Sequence, residues 1–75
     1  MFEITVSEFK TFFAKDFDYG TGQDQVSDAD IARAITEAKM NFNEGLFESN
    51  DEKKLILLYL TAYYLVVDIN NINTQ

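Results

Sequence analysis

The run Leu55–Val67, LILLYLTAYYLVV, constrains this chain more than any other stretch. Twelve of its thirteen residues are apolar, and Thr61 is the exception. A membrane span needs about 20 apolar residues, whereas a run of this length suits a buried core helix. Lys53 and Lys54 precede the run and Asp68 closes it. From Ser49 onward no glycine or proline interrupts the chain, so the run belongs to one long helix, placed at 50–69. Ser49 and Glu52 stand at capping-box spacing at its start. The polar tail 70–75, NNINTQ, is expected to fray.

At 100° per residue, Lys54, Thr61 and Asp68 fall on one narrow polar stripe, and an apolar arc of about 280° covers the rest. With that stripe turned to water, Leu55, Ile56, Tyr59, Ala62, Tyr63 and Val66 lie opposite it and form the expected core face. Leu57, Leu58, Tyr64 and Leu65 flank the stripe. Two short companion helices cannot easily cover these flanks as well, and contiguous apolar surface in a small protein marks an interaction site. The expectation is that Leu57, Leu58, Tyr64 and Leu65 meet another subunit or protein. The alternative is that the first helix and the loop after it wrap them.

Two further helices are legible. Thr5 and Glu8 form a capping box, and Val6, Phe9 and Phe13 recur at helical spacing with Phe12 beside them, predicting a helix over 6–14. Phe2, Ile4 and Phe17 read as further core anchors. Ser27 is an N-cap with Asp30 at the third helical position, and Val26 and Ile31 stand where a hydrophobic staple packs. Ile31, Ala34, Ile35, Ala38 and Phe42 then form one stripe, predicting a helix over 28–43 with Gly45 as its left-handed stop. Met40 lies almost opposite that stripe, exposed or touching something outside the helix pair. Residues 15–26 between these helices form an irregular polar loop in which Gly20 and Gly22 supply turns. Asp16, Asp18 and Asp24 raise a calcium reading, but position six from Asp16 is Thr21 and position twelve is Ser27, where an EF-hand needs Gly and Glu. A solvated acidic loop is the better reading. The fold expected is all-α: one domain over 1–75, a small bundle of three helices with a long, central, apolar C-terminal helix.

Seventy-five residues sit near the lower limit for a self-sufficient core. Small chains escape that limit with disulfides, metals or association. There is no cysteine and no histidine, which removes disulfides, thiolate zinc sites, a cysteine nucleophile and the commonest proton shuttle. Association is the route left open. Thirteen acidic against six basic residues give a formal charge of −7, which opposes phosphate backbones and anionic membrane surfaces alike. The start, MFEITVSEF, carries an acid where a secretory signal carries basic residues. No nucleophile–base pair and no phosphate-binding glycine loop is present. No enzyme activity, cofactor or metal is expected.

The stretches T-V-S-E-F (Thr5–Phe9), F-F-A-K-D-F (Phe12–Phe17), S-D-A-D-I-A-R-A-I-T-E-A (Ser27–Ala38) and L-L-Y-L-T-A-Y-Y-L (Leu57–Leu65) together resemble small tailed-phage head–tail connector proteins. The likeness spans about residues 4–69 and lies in pattern more than in one diagnostic motif. It implies an all-helical adaptor that assembles with itself as a ring beneath the portal, extends the DNA channel and receives the next tail-side component. It also implies residence in the virion, or in the host cytoplasm during assembly, and it carries no catalytic residues. Connectors of this kind are usually longer and continue into a further helix or arm. The competing reading is a small acidic binding module, an inhibitor or DNA mimic, whose partner would be lost steeply as salt screens the charges.

Overall fold

The structure, a computed structural model, describes residues 3–23, 25–43, 45 and 49–73. Three helices follow in order: α1 (Val6–Phe12), α2 (Asp28–Met40) and α3 (Asn50–Asn73). Among the described residues there is no strand, only an isolated bridge between Tyr19 and Val26. The molecule is an all-α bundle measuring 39 × 24 × 17 Å. At 1.5 Å per residue α3 is about 36 Å long and runs nearly the full length of the particle.

Both short helices start where local chemistry says they must. The Thr5 hydroxyl accepts from the Glu8 amide at 3.0 Å, and the Glu8 carboxylate accepts from the Thr5 amide at 3.1 Å. Ser27 and Asp30 repeat the arrangement at the head of α2, at 3.2 and 3.1 Å. Each pair satisfies two backbone amides that the helix itself leaves open. At the head of α3 the Ser49 hydroxyl accepts from the Glu52 amide at 3.1 Å.

The ends depart from expectation. α1 stops at Phe12, because Phe13 turns out of helical geometry while its amide still reaches the Phe9 carbonyl. α2 stops at Met40 rather than 43. There Asn41 donates its side-chain amide to the Glu37 carbonyl at 2.9 Å and closes the helix without glycine. Gly45 does not adopt a left-handed conformation, so it is not the stop. In the other direction, α3 continues to Asn73, four residues past the predicted end and into the segment expected to fray.

The core is formed by Ile4, Phe9, Phe13 and Val26, the α2 stripe Ile31, Ala34, Ile35 and Ala38, and Leu57, Leu58 and Leu65 of α3. The alanines remove bulk from the α2 stripe, which lets α3 approach closely. Phe9, Phe13 and Phe17 stack with ring centroids 4.9–6.1 Å apart. Phe17 and Phe42 are partly buried against the core, and Phe2 lies outside the described residues.

The loop between α1 and α2 is pinned rather than loose. The Tyr19 hydroxyl donates to the Phe13 carbonyl at 2.7 Å, and burial, with Asp16 nearby, pushes that phenol above its ordinary pKa. Gly20 donates to the Val26 carbonyl and Val26 to the Asp18 carbonyl. The Gln25 side chain folds over Gly20 and Gly22, accepting from the Gly22 amide at 3.0 Å and donating to Asp18 at 3.2 Å. The Gln25 side-chain amide lies so close over Gly20 that a Cβ there would displace it, so glycine makes room for this side chain rather than supplying a special backbone angle. Asp18 is thereby tied to Gln25, and Asp24 of the calcium reading lies outside the described residues.

Candidate protein-contact face

The orientation of α3 about its own axis is the reverse of the expected one. Leu57 is 1% exposed, Leu58 is buried, and Leu65 and Thr61 are fully buried. Leu57, Leu58 and Leu65, expected to face a partner, are core residues, and Tyr64 is half-buried against them. Leu55, Ile56, Tyr59, Tyr63 and Val66, expected to form the core face, are exposed, the two tyrosines at 55% and 62%.

The physical reason is that every member of the polar stripe finds a partner inside the chain. Thr61 donates its hydroxyl to the Leu57 carbonyl of its own helix at 2.7 Å, so it is buried without an unmet donor. Lys54 pairs with Glu8 of α1, which holds the Glu8 carboxyl below its ordinary pKa. Asp68 lies 3.5 Å from the Arg33 Nε of α2. A stripe that looks water-loving on the wheel is the seam along which α3 joins the other two helices.

The Asp68 end of that seam is imperfectly matched. Arg33 also faces Glu37, at 3.9 Å, and the two carboxylates crowd together. The Glu37 Oε1 and Asp68 Oδ2 atoms that face the guanidinium are buried and receive no hydrogen bond. Contact with Asp68, then burial, raises the Glu37 carboxyl above its ordinary pKa, with Arg33 opposing.

The opposite side of α3 is left as an uncharged apolar face. Leu55, Ile56, Tyr59, Tyr63 and Val66 recur at steps of one, three, four and three, which is one face of a helix. Phe12 of α1 widens it, packing edge-on against Tyr59 at 5.7 Å. Fractional exposures and ordinary side-chain areas put roughly 600 Å² of apolar and aromatic surface here. The largest patch on a typical monomer is about 300–600 Å² and is often functional. Met40, on another helix, is 81% exposed.

The other recesses described are open hollows beside α1, bounded by Val6, Lys10, Ala14 and Asp28 and by Lys10, Tyr19 and Thr21. Lys10 is paired with Asp28 at 3.1 Å and lies over the Tyr19 ring, so its charge is used within the fold. Among the described residues no three acidic side chains converge as a metal site. No helix there is long and apolar enough to cross a membrane.

The sequence hides this face because a charged residue on a helical wheel reads as a mark of solvent. One signal was present: Glu52 and Asn70 stand at the two ends of the Ile56–Tyr59–Tyr63–Val66 line, so this face too has polar limits. No protein-family model matches the chain, and no match was found among curated proteins or solved structures.

Proposed function

We propose that this protein is a structural assembly component of a tailed-phage or prophage particle, a head–tail connector that acts through protein–protein contact and not through catalysis. The observation that carries the contact reading is the outer face of α3, with two half-exposed tyrosines and three exposed aliphatic residues in one uncharged line. Tyrosine suits such a surface because its ring is apolar while its hydroxyl still meets water or a partner. The connector reading comes from the resemblance in Thr5–Phe9, Phe12–Phe17, Ser27–Ala38 and Leu57–Leu65. On this reading the partners are further copies in a ring, the portal and the tail-side component, met in the host cytoplasm and kept in the virion.

The test is reconstitution. The purified chain is mixed with portal rings encoded beside its gene, then followed by cosedimentation and electron microscopy. Added density below the portal, lost in Tyr63→Glu, is the expected result, and binding should survive raised salt because the contact is apolar. No association refutes the connector reading. An association with a basic nucleic-acid enzyme that collapses as salt rises supports the acidic-mimic reading instead.

A further inference from the structure

We infer that in the free protein the outer face of α3 closes on a second copy of itself, the two α3 helices antiparallel about a two-fold axis level with residue 61. This rests on the reading of that face as a contact surface and names its occupant.

The residues themselves point to a second copy. Along the face the order is Glu52, Ile56, Tyr59, Tyr63, Val66, Asn70, at steps of four, three, four, three and four. That is the spacing by which one helix lies along another. The line is also a chemical palindrome: a polar residue, a β-branched residue and a tyrosine, then a tyrosine, a β-branched residue and a polar residue. A two-fold contact uses the same patch on both copies, so the patch must be its own complement. Reversed on itself about position 61, this one sets Tyr59 against Tyr63, Ile56 against Val66 and Glu52 against Asn70.

Charge selects the same orientation. A parallel pair would bring Asp51 and Glu52 of both copies together. The antiparallel pair lays each acidic first turn beside Asn70 of the other copy, in a stretch that carries no charge after Asp68. It also opposes the two helix dipoles. Area reaches the lower bound as well. Covering most of the roughly 600 Å² on each copy buries about 1,000 Å², the least that a specific interface should clear. A contact of this symmetry is closed and stops at two copies.

Sedimentation equilibrium of the full chain, from micromolar to millimolar concentration, should show monomer and dimer only. The dimer should tighten as salt rises from about 0.05 to 0.5 M, because two −7 copies repel. Tyr59→Glu with Tyr63→Glu should weaken pairing about 100-fold or more while helical circular dichroism is kept, since both side chains are exposed. The chain has no cysteine, so introduced thiols report without background. Chains carrying Ile56→Cys should cross-link with chains carrying Val66→Cys. Ile56→Cys alone should not, because like positions are then about 15 Å apart along the axis. A monomer at every concentration overturns the inference, and so does Ile56→Cys linking to itself. A monomer that still joins portal rings overturns the pairing alone. A dimer that ignores them overturns the connector reading alone.

Discussion

The reversed orientation of α3 is open to a direct test with two substitutions two residues apart. Leu57→Ala and Leu55→Ala remove the same three carbons from the same turn of the same helix. Leu57 is 1% exposed, so its truncation loses about 0.8 kcal/mol per methylene equivalent, about 2.4 kcal/mol in all, from transfer alone. A cavity closed on all sides adds to this, and about 3–4 kcal/mol is expected. In a domain of this size that lowers Tm by roughly 15–20 °C. It is also a large fraction of the roughly 4–11 kcal/mol that 75 residues can hold. Leu55 is 42% exposed, and its removal opens the site to water rather than leaving a void. About 1 kcal/mol is expected, from the buried half of the transfer term. Urea denaturation followed by circular dichroism, at a dilution where the chain is monomeric, gives both values. Leu55→Ala costing as much as Leu57→Ala, or more, would refute the orientation and restore a water-facing stripe.

Two other outcomes separate the buried seam from a solvated stripe. Thr61→Val should change stability by no more than about 1 kcal/mol, because the Leu57 carbonyl keeps its helix bond, whereas Thr61→Asp should cost about 3 kcal/mol or more by burying an unpaired charge. A harmless Thr61→Asp in thermal melts would contradict the burial. Glu37 has its pKa raised in the folded state, so between its ordinary value and the raised one the native state binds more protons and stability falls as pH rises. Glu37→Gln should therefore raise Tm at pH 7, and its advantage should shrink as pH falls toward the ordinary value of 4.5. Glu3 and Glu8, lowered chiefly by their bonds to Lys39 and Lys54, act the other way and lose their contribution below that value. A Tm difference between Glu37→Gln and the parent that does not vary with pH would show that the carboxylates do not interact.

What the sequence determined by itself is everything decided within a few residues. Thr5 with Glu8, and Ser27 with Asp30, specify two helix starts, because a hydroxyl and a carboxylate three residues apart satisfy each other's backbone amides whatever surrounds them. The α2 stripe Ile31–Ala34–Ile35–Ala38 was legible for a related reason: it is apolar on one side only, so it has one way to face. The end of α2 was harder to see, since an Asn41 side chain replaced the glycine that usually does this work. α3 offered apolar residues nearly all round, and its own pattern could not say which of them would be covered. Only the tertiary structure decided that, by supplying Glu8 to Lys54 across 46 residues and Arg33 to Asp68 across 35. Once those charges had partners and Thr61 had its own carbonyl, the polar stripe could turn inward. The face left outside is then apolar, and it is the surface on which the proposed function rests.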